Sequence, residues 1–590
     1  MIQIFLLHDD GRRSPLDLNE GTRIQLEIFN PIFDDELTRT TFSFPFTIPL
    51  TPRNRKLLGF ADVLYAHDTR QTPGQWNVDL YDAGVPQFRG VLKRRKVRPG
   101  TLECNFQAGE NSLADQLKNL RLRDLTFEEG DLIFSEEPDS RYNQDEIKAA
   151  MKTMTQSFWP QSRVAFPTLY NYNFCDHPHY QGYINYYTAD GQFQNSSSTV
   201  IQRDRQTPMP YTREVIAAIG RTMNWEFTGS GLVQSRVLLS ILYSNYDWGF
   251  YNNTTEGSYN ATEGRGAMIR YLKNRVGLGP LLPDLSAADF LNALRRYFFL
   301  AIFWDSLNRK AEILDLEALI ENKNYEDWTE RASPQFEAEE PEYREGFTLQ
   351  VQQDSSDALA RDLDFTGMND KGVTQNIHTE ARPEAELDYI FCQPEMKYYR
   401  GAWIEADTDY AWEYFGPASQ DVVHGNGKTS WPLMADTLPM EKRADWQNPA
   451  RSLLIPHADQ PGRSDIRPER NEASLRFLLY WGMQPDSEGN LYPLASGGHW
   501  TYNGINAQNL YLALYQGIEQ GPYAQRGSTY LACLEQARRV TYRVRLNHNE
   551  LAQLDMKKKK RINHVNYLIN KVSVTLPLTE EATIEFRTVP

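Results

Sequence analysis

The segment Val422-Val423-His424-Gly425-Asn426-Gly427-Lys428-Thr429 comes nearest in this chain to phosphate chemistry. A phosphate loop cradles its ligand on backbone N–H groups at the start of a helix, with glycine at its first position and Lys-Ser/Thr at its end. Val422 stands where that glycine is required, and Trp431-Pro432 follows closely, which disfavours a helix. The segment reads as a hairpin or loop turn. Cys175-Asp176-His177-Pro178-His179 gathers metal-ligating types. Zinc takes four ligands at defined spacings, and His-x-His places two of them. No partner cluster accompanies it, so it reads as a polar loop. The GxSxG, HExxH and catalytic-cysteine signatures are missing. Carboxylate pairs for glycoside hydrolysis can be drawn from the stretch Asp388 to Asp409, but that chemistry depends on a separation in space. No catalytic residue, cofactor or metal is expected, and the chain reads as a non-enzyme.

Two sets of residues are candidates for contact rather than catalysis. Trp403, Trp412, Trp431, Trp446, Trp481 and Trp500 lie in an aromatic-rich stretch, and indole faces suit sugars as well as protein cores and interfaces. Lys93-Arg94-Arg95-Lys96 and the run containing Lys558 and Lys559 are basic. Both runs sit beside strands and turns, where lysines commonly guard sheet edges. In an acidic chain they are also candidates for contact with an acidic neighbouring subunit.

These residues need a frame, and the frame is large. At about 150 residues per domain, 590 residues correspond to about four domains. Hydrophobic residues make 40% and charged residues 24%, which excludes wholesale disorder. Aromatics reach 12%, which favours strands or contact surfaces. Acidic residues outnumber basic ones by 78 to 62, giving a formal charge of −16. That balance argues against a chain that grips nucleic acid, because such grip comes from neutralising phosphates. Four cysteines without a CxxC pair form neither a zinc ribbon nor a disulfide scaffold. The start is too short in apolar character and too acidic for a signal peptide. The run Tyr297 to Trp304 is far below the ~20 residues of a membrane span. Synthesis in the cytoplasm is the expectation.

Period-two alternation marks strands at Ile24 to Phe29, Trp76 to Tyr81 and Thr101 to Phe106, with turn residues between them. Ser112 can cap a short helix carrying Leu113, Leu117 and Leu120. Residues 131 to 210 have little periodicity and read as surface loops with short strands. Two amphipathic helices follow, each leading into a strand. Thr212 is the expected cap of Arg213 to Trp225, and Ser286 of Ala287 to Phe299. Strand character returns from Phe347, with a helix over Thr529 to Arg539. Strands close the chain at Val540 to Leu546, Val565 to Leu576 and Ala582 to Val589. The class is α+β and β-rich.

The run Thr41-Phe42-Ser43-Phe44-Pro45-Phe46-Thr47-Ile48-Pro49-Leu50-Thr51-Pro52-Arg53-Asn54-Arg55-Lys56-Leu57-Leu58-Gly59-Phe60 resembles the N-terminal part of large tail proteins of Bacteroidota phages and prophages. Gly84-Val85-Pro86-Gln87-Phe88-Arg89-Gly90 resembles that family's G-x-P-x-F-x-G hairpin. The helix-strand units at 211 to 229 and 282 to 316 are also similar, most specifically in Leu282-Pro283-Asp284-Leu285-Ser286-Ala287-Ala288-Asp289-Phe290-Leu291. Leu546 to Asp555 and Lys560-Arg561-Ile562-Asn563-His564-Val565-Asn566-Tyr567-Leu568-Ile569-Asn570-Lys571-Val572 resemble its closing barrel strands. His564-Val565-Asn566 departs from the family, where glycine is common before the Tyr-Leu-Ile strand.

The resemblance implies a baseplate hub or tail-tip protein, with two small β-barrel-like domains flanking α+β units and an aromatic-rich region. The implied parts are a barrel-like domain over 1–130, a loop-rich segment over 131–210, and an α+β domain over 211–345. A second barrel-like domain covers 346–590, with an insertion around 385–527. The chain would be a homotrimer at the distal end of a virion's tail. Its implied partners are the tail tube or distal tail protein, the tape-measure protein and tail-tip fibres or a spike. DNA would pass through its ring without specific binding, and a negative lumen would repel phosphate. A carbohydrate-binding or cell-wall-degrading tail protein is the alternative from another class. The hub of a contractile injection system is a third reading.

Overall fold

The computed structural model describes residues 1–8, 10–33, 41–62, 74–108, 111–127, 130–137, 143–175, 180–194, 204–252, 269–305, 308–357, 359, 389–392, 397–404, 409–415, 419, 421–448, 450–465, 473–498, 501–502, 505–506, 512–514 and 521–590. The fold is β-rich and α+β, as the sequence patterns require.

A 14-stranded sheet is built from the two ends of the chain. Its N-terminal strands are β1 (Ile2–Leu7), β2 (Arg13–Pro15), β3 (Ile24–Phe29), β4 (Thr41–Ser43), β5 (Phe46–Pro49), β6 (Gln75–Asp82), β7 (Val85–Arg98) and β8 (Thr101–Ala108). Its later strands are β9 (Tyr325–Asp327), β10 (Ala332–Glu339), β11 (Arg539–Val544), β12 (Lys559–Ile562), β13 (Val565–Leu576) and β14 (Ala582–Thr588). The main path runs β2-β1-β6-β7-β8-β4-β3-β13-β14-β11-β10, with β5 on β8 and with β12 joining β9 to β13. The seam between the two ends is the antiparallel pair β3–β13, in which Leu26 faces Val574 and Ile28 faces Val572.

Alternation sets this register. Ile24, Leu26 and Ile28 point into the same apolar core as Val572, Val574 and Leu576. A slip of one residue would turn every one of those side chains to the opposite face. The turn between β6 and β7 uses Ala83 and Gly84 at φ +51° and +80°, the left-handed pair that a two-residue hairpin favours. The strands of 1–108 and of 539–588 therefore share one sheet and one core. β9 and β10 belong to that sheet as well, although they fall within the 211–345 span assigned to the α+β domain.

The two helix-strand units converge on a smaller sheet. Helix α1 (Thr212–Met223) ends at Asn224 in the left-handed conformation and leads into the strand Glu226–Thr228. Helix α2 (Ala287–Tyr297) leads into Leu300–Asp305, which returns as Lys310–Asp315. Lys310–Asp315 lies between the other two strands, parallel to the first and antiparallel to the second. Ser286 caps α2 by accepting from the Asp289 N–H at 3.1 Å. Thr212 does not cap α1; it is the first helical residue, and Tyr211 precedes it without a side-chain cap.

Many described side chains between 131 and 210 are interior rather than on the surface, contrary to the reading from low periodicity. A helix over Gln144–Thr155 buries Ile147 and Met151. Tyr170, Tyr183, Tyr186 and Tyr187 are buried, and they sit against residues of the 436–496 region. Buried tyrosines need partners for their hydroxyls, and Tyr183 and Tyr186 find them here. Tyr183 donates to the Ala444 carbonyl at 2.9 Å and Tyr186 to Asp445 at 2.5 Å. Arg451, buried beneath them, bridges Asp445 and Asp486, both buried too. Among the described residues, no helix is long and apolar enough to cross a membrane.

Candidate functional site

The glycine-rich segment forms a turn between two strands that flank a third. Val422–His424 and Thr429–Pro432 lie on either side of Phe347–Gln350, antiparallel and parallel respectively. Gly425 and Gly427 take positive φ. The Lys428 and Thr429 N–H groups donate to the Glu345 and Gly346 carbonyls at 3.2 and 3.1 Å, and the Lys428 ammonium pairs with Glu345 at 2.6 Å. Neither those donors nor that cation is arranged to cradle a phosphate.

Of the Cys-His segment, Asp176 to His179 lie outside the described residues. Cys175 accepts from Arg205 at 2.5 Å. Among the described residues, no group of three His, Cys, Asp or Glu is placed to hold a metal. In the Asp388 to Asp409 stretch, Asp388 is outside the described residues and Asp409 is described only as backbone of a strand.

The tryptophans divide. Trp481 is buried and donates to Ser496 at 2.7 Å. Trp431 is half-buried between Phe347 and Tyr530, with the Arg296 guanidinium 5.7 Å from its ring centroid. Trp446 packs on Tyr186. These three are packing residues rather than an open platform. Trp403 and Trp412 lie in the paired strands Lys397–Ile404 and Asp409–Phe415, and Trp500 is outside the described residues.

The basic runs also divide. Lys93, Arg94, Arg95 and Lys96 lie on β7 at a bulge opposite β8, with Arg95 and Lys96 exposed. The second run has partners within its own chain. Lys559 is buried and donates to the Pro590 carbonyl at 2.6 Å. Lys558 pairs with Glu326 at 3.6 Å. Lys560, also buried, donates to Glu326 at 2.7 Å and lies 4.8 Å from the Trp328 ring centroid. The physical reason is β9, whose Glu326 comes alongside β12 through a parallel pairing.

The residues that a sequence reading missed line a cleft of about 590 Å³ at the open face of α1 and the smaller sheet. Trp159, Arg213, Arg221, Trp225, Phe227 and Arg309 surround it. The Arg213 guanidinium lies 4.1 Å from the Trp159 ring centroid. The Glu214 carboxylate is buried behind that pair, accepting from Trp159 Nε1 at 3.2 Å and from Arg221 at 2.8 Å, with Arg163 at 3.4 Å. Trp225 packs its edge on Trp304, and Phe227 does the same. Guanidinium donors above an apolar floor can hold an anion with an apolar stem. The cleft joins residues far apart in sequence.

The chain matches no protein-family model and no curated protein. Among solved structures it is similar to the 43 kDa tail protein of prophage MuSo2 from Shewanella oneidensis. The identity is 6% and the TM-score 0.34, with 100% of this chain and 98% of that chain covered. A likeness of that degree fixes neither fold nor role.

Proposed function

We propose that the chain is a structural protein of a phage tail, with an architectural rather than an enzymatic part. In finer terms it is a baseplate hub or tail-tip subunit at the distal end of the virion's tail. Three copies form a ring that joins the tube to the tip. The tape-measure protein, the tube or distal tail protein, and fibres or a spike are its neighbours.

One observation carries the reading. The terminal segments that resemble tail proteins gather in one sheet, and the similar helix-strand units at 211–229 and 282–316 form the smaller one. Thr41 to Phe60 supplies β4 and β5, Gly84 to Gly90 the turn into β7, and Lys560 to Val572 supplies β12 and the start of β13. The likeness therefore falls on a frame rather than on a reactive centre. The sheet is open, with β2 and β10 at the two ends of its path. Open edges pair with other chains unless they are guarded. β10 and its extension are guarded by exposed Glu337, Glu339 and Glu340. In a ring whose lumen meets such carboxylates, DNA passes without the counterion release that drives binding.

Gold-labelled antibody against the chain, applied to purified particles, tests the placement. Label at the distal end of the tail is expected; label on the capsid alone, or none on intact particles, contradicts it. A peptidoglycan-clearing assay tests the architectural part. No clearing is expected, and clearing abolished by a single carboxylate substitution would replace this reading with a cell-wall-degrading one.

A further inference from the structure

We propose that the cleft beside α1 binds an acidic segment of a partner protein, with Arg213 receiving a carboxylate from it. Arg213 is half-buried and stacked on Trp159, yet among the described residues no carboxylate lies within ion-pair distance of it. Its neighbours differ. Arg221 and Arg163 share Glu214, and the cleft's other carboxylate, Glu226, is matched by Lys310 at 2.9 Å. Arg213 brings a positive charge to the cleft that no described carboxylate offsets. In a chain of formal charge −16, this is a local cationic concavity. Partial burial also pulls Arg213 below the ordinary arginine range, with no carboxylate to offset it.

The shape selects among anions. A guanidinium presents a planar fork that matches a carboxylate with two parallel hydrogen bonds. Ile216, Phe227 and Leu232 line the cleft and suit the methylene stem of a glutamate or an adjoining aliphatic residue. A volume of about 590 Å³ accommodates a few residues of an extended peptide. A sugar or a base would need a free aromatic face. Arg213 covers one face of Trp159, and Trp225 is only 6% exposed. A nucleic acid would also meet the repulsion of the whole chain, and its backbone needs a basic track rather than one concavity.

The test is fluorescence anisotropy with the full-length chain and a labelled peptide of alternating Glu and Leu. The same peptide with Gln for Glu, single-stranded DNA and polygalacturonate serve as comparison probes. The Glu peptide is expected to bind, to weaken with added salt, and to outcompete all three comparisons. Arg213→Gln should weaken it about tenfold or more, the loss of one charge-assisted fork. Arg538→Gln, at an exposed arginine elsewhere, should leave it unchanged. If Arg213→Gln does not fold, Ala217→Glu decides. It places a carboxylate one helical turn from Arg213 on α1, and should abolish peptide binding by occupying the guanidinium. Equal binding of the Gln peptide, tighter binding of DNA or polygalacturonate, or full binding by the folded variants overturns the proposal.

Discussion

The Lys560 ammonium, buried on β12 of the terminal sheet, lies 2.7 Å from the Glu326 carboxylate. The two ends of this contact differ. Lys560 is enclosed, whereas Glu326 keeps 42% of its side chain exposed and has Lys558 as a second partner. Burial pulls Lys560 below the ordinary lysine range, against the opposing pull of Glu326. Removing the carboxylate therefore strands a buried charge, while removing the ammonium leaves an acid that water can reach. Glu326→Gln is expected to destabilise by about 2 kcal/mol or more, and Lys560→Met by less than about 1 kcal/mol, since its stem packs on Trp328. Urea unfolding followed by tryptophan fluorescence reads the order. The reverse order would contradict the asymmetry.

Gly229 closes the strand after α1 at φ +112°, and a Cβ there would meet the Ile313 carbonyl oxygen at 2.1 Å. Backbone stands in the way, so no side-chain rotation relieves it. Gly229→Ala should cost more than about 2 kcal/mol. Gly489 has φ +86° and nothing within 4 Å, so Gly489→Ala should cost only about 1 kcal/mol of backbone strain. Thermal melts of the pair separate crowding from conformation.

Asp436 gives a pH dependence with a definite sign. Burial pushes its carboxyl up to about 6, against the Ser419 hydrogen bond and the Arg476 charge. The folded state keeps this proton after the unfolded chain has released it near pH 4. Stability therefore falls as pH rises from about 4 to about 6, and the full cost remains above that window. Asp436→Asn should raise stability at pH 8 by about 2 kcal/mol and leave it unchanged at pH 3.5. Arg476 keeps Asp357 at 2.6 Å and Asp354 at 3.6 Å, so the substitution does not orphan it. Equal shifts at both pH values would refute the assignment.

What the sequence made legible was local. Ile24 to Phe29 and Thr101 to Phe106 alternate because one face is buried, and both became strands with that face inward. α2 starts where Ser286 announces it. The pairing of Ile28 with Val572 was not legible, because alternation tells a strand which face to bury and not which strand to join. The Gln144–Thr155 helix escaped because its apolar stripe is narrow, with Ile147 and Met151 buried among polar neighbours. The tyrosines after it looked like surface because a hydroxyl reads as polar, yet Tyr183 and Tyr186 bury both ring and hydroxyl. The cleft was invisible for the same reason as the seam: Trp159, Arg213 and Arg309 meet only in the fold.

Multi-angle light scattering of the purified full-length chain over a wide concentration range tests the central claim most directly. The hub reading predicts a species of three times the 68.2 kDa chain mass, growing with concentration. A mass equal to one chain at every concentration would contradict it.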